Sequence, residues 1–418
     1  MLGLDIGSRA IYLVRYAAGQ VLAFGQCPTP PESVVEGVVT APQRVSEAIR
    51  QLMRLMRLPE SGVSIVVGGS QVINKWVEVP RLSLEELNRS APLDAPRHLP
   101  PTREPMLYRF WLPPNLSQSE FSSPSSSPEK KNFQGDTIPA RLIAISEAAV
   151  HSRLDAALLA GLEPVGVVPE ADALVRVLTR HHRPQSLLWR GRATAILALR
   201  HDYTEMSVAR ETYLEFTRTL RLGLNDAIEM VQRTLGASFE EAESLLKQSR
   251  IDENGTLHFP DSLGLPTLSL LGFLHNLTAE MRRMIDFQRS RFPEGSYLGL
   301  LDSFLLTGEG AAMSGLAPYC SQSVGLTCLM GDLTTTLKWR VEVGDRRPEF
   351  FSLGGSDPSG GRYLEKKILP EEMGCYASAL GAAVEMEVEA QLSPQSDRSD
   401  MSDLSDLSAL SKQEVHVA

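Results

Sequence analysis

Residues Leu2 to Tyr16 constrain the fold more than any other stretch: they alternate as a strand, break at Gly7-Ser8 and resume as a second strand. A hairpin at Ala18-Gly19 then leads into a third strand, Val21 to Gly25. Asp5 lies on the first of these strands, just before the break. A carboxylate ending a buried strand, with a Gly/Ser turn behind it, places backbone N–H groups and a hydroxyl at the mouth of a hairpin. Such a concavity suits phosphate oxygens, and the carboxylate suits a hydrated cation. Asp-x-Gly-Ser is also ordinary hairpin chemistry, so this segment alone leaves both readings open.

Helices and strands alternate downstream. The spacing of Val45, Ile49, Leu52, Met53 and Met56 predicts a helix over Arg44 to Met56. Short strands follow at Val63 to Val67 and at Ile73 to Val79, which Pro80 ends. Ser83, with Glu86 three residues on, reads as a helix cap, and Pro92, Pro96, Pro100 and Pro101 are expected to end that helix soon. From Pro113 to Thr137, Ser, Pro and charge displace periodic apolar residues, the composition of a disordered loop. A strand at Ala140 to Ile145 and a helix running into Gly161 resume the pattern. Two further helices run from about Asn225 through Leu235 and from Leu270 to Phe287. The second carries Leu270, Leu274, Leu277, Met281, Met284 and Ile285 on one face and Glu280, Arg282 and Arg283 on the other. Ser393 to Ala418 is rich in Ser and Asp and reads as a disordered tail. At 418 residues the chain is too long for one ordinary domain. Two α/β stretches parted by an insertion predict two related lobes.

A second glycine turn lies far from the first, in Phe304-Leu305-Leu306-Thr307-Gly308-Glu309-Gly310-Ala311-Ala312. An apolar strand there runs through glycines into a helix, which lets backbone approach a flat ligand such as an adenosine; a simple strand-to-helix turn fits the same residues. Composition narrows the partners. The formal net charge of −10 argues against a generic nucleic-acid binder. Cys27, Cys320, Cys328 and Cys375 form no Cys-x-x-Cys pair and read as reduced thiols, and His181-His182 reads as a loop before Pro184. No stretch has the roughly 18 apolar residues of a membrane span, and Asp5 falls where a signal peptide would be building its apolar segment. Any membrane location is therefore expected to come through a partner.

The two turns, at opposite ends of a two-lobed α/β chain, resemble those of the actin-like ATPase superfamily. Within it, the order of motifs resembles the PilM family of type IV pilus assembly proteins, up to about Met386. Leu4 to Val14 is similar to the family's opening, and Val79 to Leu87 to its strand, proline and helix start. His98-Leu99-Pro100, Ala140 to Ile145 and Ala160-Gly161-Leu162-Glu163-Pro164 resemble the elements that follow. Phe216-Thr217-Arg218 with Gly223, the acidic helix Glu240-Glu241-Ala242-Glu243 with Lys247, and Leu380-Gly381-Ala382-Ala383 complete the series.

The resemblance implies a two-lobed actin-like ATPase fold with an inserted subdomain of the FtsA/PilM type. Residues 1–27, 164–187 and 376–390 would form the first-lobe base and 28–163 the inserted subdomain, with 113–137 as its disordered loop. Residues 188–225 and 298–375 would form the second-lobe base, 226–297 its outer subdomain and 391–418 the disordered tail. It further implies ATP or ADP with Mg, held by Asp5, Gly7, Ser8, Arg200, Gly223, Glu280, Arg283, Gly308, Gly310 and Ala311, with Asp5 on the metal and Glu170 orienting the attacking water. Glu280 and Arg283 also read as a solvated i,i+3 pair. The partner implied is the N-terminal peptide of a PilN-like membrane protein, alongside other pilus assembly proteins. The chain would then be cytoplasmic and recruited to the inner membrane without inserting into it. An FtsA-like filament protein of cell division is the alternative.

Two departures weaken the implied site. Tyr12 stands where the superfamily's first hairpin carries a lysine, and Ala198 and Arg200 stand where the second hairpin begins Asp-x-Gly. Losing that Asp removes a metal-holding carboxylate. Arg200 adds a cation but fills space a glycine leaves open, so turnover is expected to be slow or absent.

Overall fold

The computed structural model describes residues 1–17, 20–58, 62–102, 104–113, 137–181, 192–210, 213–331, 333, 349–352 and 375–392. The expected Ala18-Gly19 turn, nearly all of the 113–137 loop and the tail from Ser393 lie outside them.

Alternation at the head of the chain builds a meander. β1 (Leu2–Ile6) pairs antiparallel with β2 (Ala10–Ala17), setting Asp5 opposite Tyr12, and β2 pairs with β3 (Gln20–Pro28). After the two-residue strands β4 (Val34–Val35) and β5 (Val38–Val39), Pro42 opens α1 (Pro42–Leu55), which buries Val45, Ile49 and Leu52. The chain then returns to the sheet as β6 (Gly62–Val67), parallel to β1.

A separate three-stranded sheet follows: β7 (Val72–Pro80), then α2 (Leu84–Asp94) packed on β8 (Met106–Trp111), then β9 (Thr137–Ser146) between the other two strands. The Ser83–Glu86 capping box forms as expected. Pro92, however, lies inside α2 rather than ending it. Leu87 and Ala91 before Pro92 and Ala95 after it are buried, and Asn88 Oδ1 accepts the Phe110 N–H at 2.7 Å, so contacts on both sides of Pro92 outweigh the one backbone bond it cannot make. α3 (Glu147–Leu159), β10 (Glu163–Pro169) and α4 (Glu170–His181) close the first lobe, with β10 parallel to β6. His181 is thus the last residue of a helix.

The second lobe repeats this plan. β11 (Ala193–Leu199), β12 (Thr204–Arg210) and β13 (Tyr213–Leu220) form another meander. α5 (Leu224–Leu235), α6 (Phe239–Gln248), a small sheet of β14 (Arg250–Ile251), β15 (Thr256–His258) and β16 (Leu268–Ser269), and α7 (Leu271–Ser290) then pack together. β17 (Leu301–Thr307), α8 (Leu316–Val324) and β18 (Cys328–Met330) follow, both strands joining in parallel. The first lobe's sheet runs β10-β6-β1-β2-β3 and the second's β18-β17-β11-β12-β13, the same arrangement twice. Finally β19 (Glu349–Ser352) pairs with β3, and α9 (Ala377–Leu392) lies against β1, β2 and α4.

Two strands sit outside the segments the resemblance gave them. β6 belongs to the first lobe's sheet although 28–163 spans it, so the separate sheet runs only from β7 to β9. β19 likewise joins the first lobe although it falls within 298–375. Apolar clusters fill each lobe, and a third, including Leu174, Leu178, Ile196, Ala198, Leu305 and Tyr376, lies between the two sheets. Cys27, Cys320 and Cys328 are buried and unpaired, and burial pushes the Cys27 and Cys320 thiols up to about 12. Among the described residues no helix is long and apolar enough to cross a membrane.

Candidate functional site

The repeated plan brings the ends of β1 and β11 together, and the residue just beyond β11 is Arg200. Its N–H donates to the Tyr203 carbonyl at 2.9 Å, closing the tight turn between β11 and β12. Its guanidinium turns into the interlobe cleft. Nη1 donates to Asp5 Oδ2 at 2.8 Å and to Glu170 Oε1 at 3.0 Å, and lies 3.4 Å from Ser378 Oγ. Nε lies 3.3 Å from Glu309 Oε2. The side chains of Arg200, Asp5, Glu170 and Glu309 are only 5%, 7%, 1% and 9% exposed. One guanidinium thus holds three carboxylates, drawn from β1, the first residue of α4 and the Gly308 turn.

Neighbouring groups fix the arrangement. Tyr203 donates to Glu170 Oε2 at 2.6 Å, and Ser378 Oγ reaches Glu170 Oε1 at 3.1 Å, so both oxygens of Glu170 accept from the protein itself. A Cβ on Gly68 would lie 2.3 Å from Glu170 Oε2, which is why the turn after β6 carries a glycine there. Burial pushes the Glu170 carboxyl up by more than Arg200 pulls it down, with Asp5 adding to the rise. Burial also pushes Glu309 up, but Arg200, His201 and a hydrogen bond from Tyr12 outweigh it and hold the carboxyl below its ordinary range. For Arg200 the loss of hydration on burial is overcome by Asp5, Glu309 and Glu170, so the guanidinium stays charged. Arg153, equally buried behind the first hairpin, donates to the carbonyls of Ala149, Ile6 and Gly37.

The expected site residues fall into three groups. Asp5, Glu170 and Arg200 meet directly. Gly7 adjoins them: its N–H donates to Ala10 O at 3.0 Å, and a Cβ there would lie 3.3 Å from Arg200 Nη2. Ser8, beside it, is half-buried. Gly308, Gly310 and Ala311 line the same cleft, but the glycines answer to Leu199, since Cβ atoms on them would come within 2.6 Å of its carbonyl oxygen and 2.4 Å of its side chain. Gly308 also has φ +82°, open to glycine at little cost. Gly223 caps α5, where its N–H donates to Asp226 Oδ2 at 2.8 Å and a Cβ would meet His201 O at 2.2 Å. Glu280 and Arg283 stand apart on α7, paired with each other and, through Glu280, with Arg218 at 3.2 Å. Glu309, Tyr203 and Ser378 were not anticipated. Glu309 was visible between two glycines; nothing in the spacing of Ser378 marks it.

The metal that the fold family implies does not fit these residues as they stand. Asp5, the expected metal ligand, already has Oδ2 engaged by Arg200. Ala198 is 1% exposed within the apolar cluster between the lobes, where a carboxylate would be buried without a partner. Tyr12 is buried too, its ring packed edge-on against Tyr376 with centroids 5.1 Å apart, and the Arg200 guanidinium lies 6.0 Å from it. The space beside Gly7 therefore holds a protein cation.

Comparison with known proteins places this geometry. A family model described as type IV pilus assembly protein PilM matches residues 3–349. Among solved structures, a PilM-PilN type IV pilus biogenesis complex is similar with TM-score 0.68 and 22% identity, over 92% of this chain and 98% of that chain. Weaker likenesses include the ethanolamine utilization protein EutJ from Carboxydothermus hydrogenoformans, at TM-score 0.45 and 13% identity over 80% of this chain and 86% of that one. MreB5 of Spiroplasma citri bound to ADP gives TM-score 0.46 and 10% identity over 81% and 92%. The first likeness and the doubled sheet order bear out a two-lobed actin-like α/β fold.

Proposed function

This chain belongs to the type IV pilus assembly protein PilM family, and from that premise we propose that it is an adaptor of pilus assembly that captures the N-terminal peptide of a PilN-like membrane protein. One observation carries the reading: the family match extends from residue 3 to residue 349, a span that takes in the separate sheet as well as strands of both lobes. The neighbouring solved structure, titled as a PilM-PilN complex, supports the choice of partner.

The sheet is well braced for such a role. Arg141 on β9 pairs with Asp172 on α4 at 2.6 Å and lies over the Trp111 ring of β8, 4.9 Å from its centroid. Trp76 on β7 packs edge-on against Trp111 and donates Nε1–H to Glu215 O of β13 at 2.8 Å. The insertion is thereby fastened to both lobes, and a rigid platform loses little entropy when it receives a peptide. In this reading the nucleotide site is degenerate: both oxygens of Glu170 already accept hydrogen bonds from the protein, and hydrolysis is weak or absent. Residence at the cytoplasmic face of the inner membrane would come through the partner.

The test is titration of the partner's N-terminal peptide against the full chain and against a chain in which residues 72–146 are replaced by a short linker. Circular dichroism and a melting curve establish that the shortened chain is folded. Micromolar binding to the full chain and none to the shortened one supports the adaptor. Equal binding to both, or none to either, overturns it.

A further inference from the structure

Arg200 belongs to the second lobe, whereas Asp5, Glu170 and Ser378 belong to β1, α4 and α9 on the first-lobe side. Glu309 completes the ring from the second lobe's glycine turn. We propose that Arg200 is a built-in counter-ion that closes the interlobe cleft from within, so that any metal–nucleotide must displace it before it can bind. The inference deepens the reading of the cleft as a degenerate nucleotide site and rests on it, but does not depend on the identity of the peptide partner.

Three features carry it. First, the guanidinium lies against Gly7, 3.3 Å from where a Cβ would be, and so takes up the open ground beside the first hairpin. Second, the planar guanidinium reaches ligands on different elements at once: Nη1 toward Asp5, Glu170 and Ser378, Nε toward Glu309. A single spherical ammonium cannot reproduce that fork. Third, the acids it gathers are nearly fully buried. With the cation removed, three carboxylates would face one another without compensation, and they would take up protons, an external cation or water. The cleft is thus held closed by a side chain that is always present rather than by a ligand that comes and goes.

Hydrogen exchange on the full-length protein reads the latch directly. In Arg200→Met, exchange should rise in residues 2–17 and 163–175, the elements carrying Asp5 and Glu170, while the distant α5–α6 segment is unchanged. Magnesium at millimolar concentration should restore part of that protection in the variant and leave the wild type unaltered. Arg200→Lys, which keeps the charge, serves where the methionine variant fails to fold, and its protection should fall between wild type and unlatched. Arg200→Gly should bind Mg-ATP at least about tenfold more tightly than wild type, measured by fluorescence with a labelled analogue. Exchange in Arg200→Met or Arg200→Lys indistinguishable from wild type would overturn the proposal, as would Mg-ATP binding to wild type and Arg200→Gly alike. Peptide titration on the same samples separates the two readings, because the latch can fail while the peptide still binds, and the reverse.

Discussion

Glu205 lies one strand over from β11, on β12 opposite Ala198, and accepts from Thr217 at 2.7 Å and from Thr219 at 3.2 Å. Burial, then the nearby Glu170, pushes its carboxyl from 4.5 up to about 7, although Thr217, Thr219 and the Gly69 backbone all pull the other way. The folded chain therefore holds this proton more tightly than the unfolded chain does. Its contribution to stability is fully present below the unfolded value and is lost as pH rises through about 7. Glu170 is shifted in the same direction and adds to the trend. The melting temperature should accordingly fall between about pH 4.5 and about pH 7, with a contribution from Glu205 on the order of 3 kcal/mol. Glu205→Gln, which keeps the shape and removes the titration, should flatten that fall and raise the melting temperature at the alkaline end. Equal slopes in the two proteins would show that water reaches the carboxylate.

At the scale of elements, α9 is held by contact of backbone on backbone. A Cβ on Gly381 would lie 2.1 Å from the Ala173 carbonyl oxygen of α4, and a Cβ on Gly3 of β1 would lie 1.7 Å from that of Ala379. In a free helix Gly→Ala gains about 1 kcal/mol. Here the sign should reverse: Gly381→Ala is expected to destabilise by at least about 2 kcal/mol, because backbone on both sides must move. Denaturant unfolding measures this, and a neutral or stabilising change would mean that α9 docks more loosely. The same elements show what could be read in advance. The opening hairpin, the α1 and α7 stripes and the Ser83–Glu86 cap were legible because each is set by local period or local chemistry. β8 was missed, since Met106 to Trp111 has little alternation and depends on pairing with β9, which is distant from it in sequence. Pro92 inside α2 could not be foreseen, because the contacts that tolerate it come from a strand elsewhere. At the site, Asp5, Gly7 and Gly308 were visible as turn chemistry. That Arg200 turns inward to three acids follows only from two lobes meeting face to face.

For the whole molecule, the question is whether the cleft and the separate sheet speak to each other. A ligand shifts an equilibrium between open and closed lobes only by the difference in its affinity for the two. If Arg200 already holds the closed form, that difference is small for any nucleotide, which must first displace the guanidinium from the space and the carboxylate that it occupies. The sheet, for its part, is fastened to α4 through Arg141 and Asp172 and to β13 through Trp76, so it would move only if the lobes did. These two conditions predict weak coupling. Peptide affinity measured with and without Mg-ATP should agree within about threefold, below the range in which linked sites are usually separable. Arg200→Gly frees the cleft to open and close with a ligand, and in that variant the ratio should widen. The measurement is one titration repeated four ways, two proteins with and without Mg-ATP. A ratio beyond about tenfold in the wild type would mean that the closed cleft still yields to nucleotide and relays it to the sheet. A wild-type ratio near unity that widens in Arg200→Gly would assign the insulation between the two sites to one buried guanidinium.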